Sequence, residues 1–128
     1  MKKFFSLSVI WITALQFILF GANKFLLFFM APPPADAHAQ AFMGGMFGSY
    51  LAPFVGIVEI LGAVLLLIPK SRFIGLLLLI PIMLNIAVYH LAHDMPGNMI
   101  WIAVLALFAY VCYLQRSAFY QLVKVHAV

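Results

Sequence analysis

Five polar side chains could do chemistry in this otherwise apolar chain: Asn23, Lys24, Glu59, Asn85 and His90. Glu59 is the anchor, a lone carboxylate inside the uncharged apolar run of residues 51–68. The chain has three acidic residues in all, and the other two, Asp36 and Asp94, sit in polar or proline-containing breaks. An ionisable group at membrane depth costs at least ~2.5 kcal/mol, so it normally faces a helical interior and has a partner. A carboxyl held there can exchange protons or bind a ligand, while lysine, amide and imidazole groups can donate hydrogen bonds to it or to the ligand.

Composition defines the elements that must position these groups. Of the 128 residues, 67% are hydrophobic and 8% charged, with a mean hydropathy of +1.17. No water-soluble core could use that much apolar surface. The length suits one small membrane domain, 1–128, without a separate soluble domain. Its net charge of +4 comes from basic residues spread singly between apolar runs. They read as topology signals and lipid-head contacts, and nucleic-acid binding is not indicated.

The breaks predict four helical spans, at about 4–27, 51–68, 73–91 and 98–116. The tight break at 69–72 makes the second and third an antiparallel hairpin. The expected fold is therefore all-α: a transmembrane antiparallel four-helix bundle. With a cytoplasmic N-terminus, Lys2, Lys3, Lys70, Arg72, Arg116 and Lys124 lie inside, and of the seven basic residues only Lys24 lies toward the outside. That bias predicts both termini inside. The first span has the basic start of a signal peptide, but its apolar core is longer than usual and Asn23-Lys24 interrupts it, so we expect it to be retained. The outer loop, 30–50, leaves through Pro32-Pro33-Pro34, and Asp36 is placed to cap a short helix from Ala37 to about Phe47, as a lid or a connector. The tail, 117–128, carries little information and is expected in the cytoplasm.

Depth and helical phase suggest where the polar groups meet. At ~1.5 Å per residue, Glu59 lies roughly 12 Å below the outer hydrocarbon edge, with Asn85 at about the same level and His90 near the rim. Gln16, Phe20, Asn23 and Lys24 share one face of the first span, and Asn85, Tyr89 and His93 one face of the third. Gly56 and Gly62 flank Glu59 and permit close helix approach. One interior site lined by Asn23, Lys24, Glu59, Asn85 and His90 is the economical expectation.

The run Gly21-Ala22-Asn23-Lys24, then Gly56-Ile57-Val58-Glu59-Ile60-Leu61-Gly62, a basic turn with Arg72, and Asn85 and His90 late in the third span resembles the DoxX-like (DoxX/DoxD) family. The resemblance spans about residues 5–114. It implies a small four-helix protein of the bacterial inner membrane, and some relatives are subunits of a thiosulfate:quinone oxidoreductase or of other membrane-associated oxidoreductase complexes. Lys24, Glu59, Asn85 and His90 are then the positions that fit the family pattern.

The inventory narrows the chemistry. Cys112 is the single cysteine, so thiol–disulfide exchange within one chain is out of reach. His38, His90, His93 and His126 do not fall on two facing spans, as a bis-histidine haem requires. A carboxylate-bridged di-iron site needs several acidic ligands, and Glu59 is alone. His90, His93 and Asp94 form a weak zinc candidate, for which solvated loop-end residues are the commoner outcome. No intrinsic cofactor is expected. The leading reading is a subunit of a redox complex in which a quinone carbonyl accepts hydrogen bonds from Asn85, His90 or Lys24 while Glu59 exchanges protons, electrons coming from a partner subunit. Whether the chain is itself an enzyme stays open. The alternatives are a proton-coupled transporter or exporter, and a purely structural membrane subunit in which Lys24–Glu59 sets helix register. The bilayer is the expected partner, and the exposed apolar faces would suit a homo-oligomer.

Overall fold

In lipid, a backbone must satisfy its own hydrogen bonds, and long apolar runs therefore fold as helices. The computed structural model describes residues 1–93 and 99–126. Among these, all regular structure is helical: α1 (Lys2–Leu26), α2 (Ala37–Phe47), α3 (Leu51–Leu67), α4 (Arg72–His93), α5 (Ile100–Leu114) and α6 (Arg116–His126).

Two helices, α1 and α4, are long and apolar enough to cross a bilayer, with 25 and 22 residues. Only 33% and 28% of their most apolar stretches are buried within the protein, which leaves the remainder for lipid. α3 and α5 have 17 and 15 residues, short of the ~20 of a full crossing. α2 meets α3 at a 77° bend and α5 meets α6 at 61°, so the count rises from two spans to four if each bent pair is one span. The spans expected at 51–68 and 98–116 thus correspond to shorter helices, and residue 98 lies outside the described residues.

α3 is the hub of the packing, against α1 on one side and α4 on the other. Gly21 of α1 and Gly56 of α3 meet so closely that a Cβ on either would lie 2.8 Å from the other's carbonyl oxygen. Gly75 of α4 is still tighter against Gly62 and Leu66 of α3, whose backbone atoms would lie 2.5 and 2.7 Å from an added Cβ. These two glycine crossings set the helix separations. Around them, α1, α3, α4 and α5 supply an apolar core that includes Phe17, Leu66, Leu79, Met83 and Phe108.

The ends are tied by polar backbone contacts. Leu27 takes a left-handed conformation (φ 48°) and stops α1, its N–H donating to the Asn23 carbonyl at 2.9 Å. Ser71 Oγ donates to Leu65 O at 3.0 Å and Arg72 Nε to Leu66 O at 2.9 Å, satisfying the last carbonyls of α3. Asp36 caps α2, accepting from Ala39 N at 3.0 Å. Buried Ala39 and the Phe42–Tyr89 ring contact at 5.5 Å fold α2 over the end of α3 and α4.

The tail is more informative than its composition suggested. α6 is amphipathic, with Phe119, Leu122 and Val123 on one side and Ser117, Gln121 and Lys124 on the other. Phe119 packs edge-on against Phe73 at 4.8 Å, which ties α6 to the start of α4.

Candidate ion-pair site between α1 and α3

Gly21 and Lys24 stand three residues apart on α1, as Gly56 and Glu59 do on α3. A Cβ on Gly21 would lie 3.2 Å from Glu59 Cβ, and one on Gly56 3.2 Å from Lys24 Cβ. The two helices therefore run in opposite directions where they cross, and each glycine faces the other helix's charged residue. This places Lys24 Nζ to donate to Glu59 Oε2 at 2.6 Å. A second, longer contact joins Nζ to Phe20 O at 3.4 Å. Glu59 is 1% exposed, and the Lys24 side chain retains 12%. So little solvent reaches the carboxylate that removing the lysine would strand a charge in an apolar medium, a loss of about 3–5 kcal/mol.

The structure joins Lys24 to Glu59, gives Asn23 and His90 other neighbours, and leaves Asn85 exposed. Asn23 is a helix terminator: its Nδ2 donates to Phe29 O at 2.9 Å and its Oδ1 accepts from Phe29 N at 3.0 Å. That clamp follows from the left-handed turn at Leu27, which brings the chain back over the last turn of α1. Asn85 is exposed on the outer surface of α4. The buried face of α4 runs through Gly75, Leu76, Leu79, Met83 and Ala87, and Asn85 lies two residues, about 200°, beyond Met83. The expectation that Asn85 lines the interior is corrected by this phase.

His90 stacks flat on Trp101 of α5, ring centroids 5.6 Å apart, with Tyr89 edge-on at 5.3 Å. His93 turns instead toward α2, its Nδ1 lying 2.7 Å from Asp36 Oδ2. The two histidines of the zinc candidate thus engage different helices, and its third member, Asp94, lies outside the described residues. No cluster of three metal-ligating side chains occurs among the described residues. The Asp36 carboxyl is held below its ordinary range chiefly by the Ala39 N–H, which outweighs the opposing effect of desolvation, with His93 and His38 adding to the lowering.

Two donors outside the expected site stand out in three dimensions. Gln16 Nε2 and Trp101 Nε1 are buried and have no hydrogen-bond acceptor among the described residues. Each such group costs about 1–3 kcal/mol unless an acceptor comes from outside the chain. The one signal available for Gln16 was its place on the Lys24 stripe of α1; for Trp101 there was none, because tryptophan at a helix start ordinarily marks the interface.

These features define a multi-pass helical membrane protein with a buried cross-helix ion pair. A profile of the DoxX-like family matches residues 9–112, most of the chain, and the protein belongs to that family. No curated protein and no solved structure matches it.

Proposed function

We propose that the protein is a subunit of a membrane-associated redox complex in the bacterial inner membrane, and that Lys24 and Glu59 form the polar core of a site for a quinone head group or similar carbonyl-bearing molecule. The ion pair itself carries the reading, because an ionisable pair kept within an apolar crossing is by default functional. The two unanswered donors, Gln16 Nε2 and Trp101 Nε1, support it, since a carbonyl oxygen is the acceptor they lack. In this reading Lys24 orients the ligand, Glu59 exchanges protons with it, and a partner subunit supplies or removes the electrons.

Four spans with both termini in the cytoplasm complete the proposal. Lys2, Lys3 and Arg72 line one pocket, Lys70 sits in the turn beside it, and α6, which carries Arg116 and Lys124, is held to the same end by Phe119. Lys24, across from Glu59, marks the other end. That charge asymmetry favours the basic end inside and supports an ion pair toward the outer leaflet.

A second reading has its own support. The Gly21–Gly56 contact closes the crossing so tightly that the pair could serve solely to fix helix register. One titration separates the two. In lipid nanodiscs, with Trp11→Phe so that Trp101 is the sole reporter, a short-chain quinone should quench fluorescence saturably. Glu59→Gln should weaken that binding about tenfold while circular dichroism stays unchanged. Unchanged affinity in a folded Glu59→Gln protein would leave only the register role.

A further inference from the structure

An open concavity with basic side chains at its edge lies at the opposite end of the molecule from the ion pair. Lys2, Lys3 and Ser6 of α1 and Arg72 of α4 line a pocket of about 280 Å³, whose apolar wall is Leu7 and Ile10. Three cations and a hydroxyl converge there, and no carboxylate borders them. Among the other acidic side chains, Glu59 is engaged by Lys24 and Asp36 by Ala39 and His93, while Asp94 lies outside the described residues.

The positive charge is also fixed in place. Arg72 Nε donates to Leu66 O at 2.9 Å, which orients the guanidinium and leaves its Nη groups for another acceptor. Both α1 and α4 begin at this pocket without an acidic residue in the first turn, and α1 has no side-chain cap. Their positive helix ends therefore add to the charge of the side chains. The lining is amphiphilic in a definite direction: lysines and Ser6 at the helix start, then Leu7 and Ile10 one to two turns further along α1 toward the apolar core. Ile10 belongs to that core, and Leu7 is half exposed.

A phosphate attached to a glycerol and an acyl chain matches that sequence of surfaces, whereas a free phosphate would leave the apolar wall unused. We propose that this pocket holds the phosphate of an anionic phospholipid, with Lys2, Lys3, Ser6 and Arg72 around the head group and the first methylenes of its chain along Leu7 and Ile10. The contact would anchor the start of α1 to α4 through a lipid, at a place where the two helices present like charges to one another.

Native mass spectrometry of the protein released from mixed phosphatidylglycerol–phosphatidylcholine nanodiscs tests this. Wild type should retain phosphatidylglycerol in preference to phosphatidylcholine. Each cation removed should lower that preference about fivefold, so Lys2→Gln/Lys3→Gln together should nearly abolish it. That double variant is the decisive one, because Arg72→Gln also removes a bond to the end of α3. Equal retention of the two lipids, or an undiminished preference in the folded double variant, overturns the proposal. So does full displacement of phosphatidylglycerol by millimolar inorganic phosphate, which would assign the pocket to the free anion. Glu59→Gln should leave lipid retention unchanged.

Discussion

α3 is crossed twice at glycine, and the two crossings differ in what they carry. At Gly21–Gly56 the close approach brings a lysine and a glutamate together at 2.6 Å. At Gly62–Gly75 the approach is closer still, and the neighbours are the Leu79 side chain and the backbone of Leu65 and Leu66. Both solve the same problem. Lipid tails are as apolar as leucine, so helices in a bilayer gain from close van der Waals contact and from polar bonds between them. The α3–α4 crossing pairs no opposite charges, its polar tie being the bond from Arg72 Nε to the Leu66 carbonyl, whereas the α1–α3 crossing adds an ion pair. If packing were the sole requirement, the apolar solution next door shows that no ion pair was needed.

The sharpest test of that contrast removes one charge. Lys24→Met should destabilise the protein by about 3–5 kcal/mol, because Glu59 is left buried and unpaired; thermal unfolding in detergent micelles measures it. The double replacement Lys24→Met/Glu59→Leu should recover most of that loss, making the first crossing resemble the second. If recovery of stability comes with wild-type quinone binding, the two crossings are equivalent and the charge serves register only.

The apolar crossing should respond to volume instead. Gly75→Ala would push a methyl to within 2.7 Å of backbone atoms on α3, and a loss of about 1–3 kcal/mol is expected from such overpacking. Gly21→Ala also meets the Gly56 carbonyl, but its other close neighbour is the flexible Ile60 side chain, so its cost should fall at the lower end of that range. Equal losses at the two sites would remove the distinction drawn here.

Asn23 should behave as part of the frame. Asn23→Ala removes both bonds to Phe29 and should cost about 1 kcal/mol, with ligand affinity unchanged in the fluorescence titration. The smallest expected effect lies at α2. Because the Asp36 carboxyl is held below its ordinary range, the stabilisation it gives is present above that range and disappears as pH falls through its lowered value. Hydrogen exchange at the Ala39 amide should therefore depart from simple acid scaling only in strongly acidic solution, and Asp36→Asn should remove that departure.

Much of the frame was legible in the chain because it depends on local chemistry. Apolar runs between basic and proline-rich breaks mark helices whatever their neighbours do, and Asp36 caps α2 through residues three apart. Glu59 had to find a cation because stranding it is costly, and Lys24 was the basic residue whose span and level matched. The rest depended on phase. Asn85 shares a helix with Met83, and which of the two faces inward is decided by the rotation of α4, which the Gly62–Gly75 contact sets. Asn23 lies next to Lys24, but the turn at Leu27 draws its amide to Phe29. The tail looked featureless until Phe119 met Phe73 across a bend.

Sequence by itself determined that this protein lives in a membrane, where α1 to α5 begin and end to within a few residues, and which acid and base must meet. Tertiary structure alone decided that neither Asn23 nor Asn85 joins them and which histidine turns toward which helix. The reason is geometric: a helix repeats every 3.6 residues, so spacing tells which side chains share a face, while only contact with a neighbouring helix tells which way that face points.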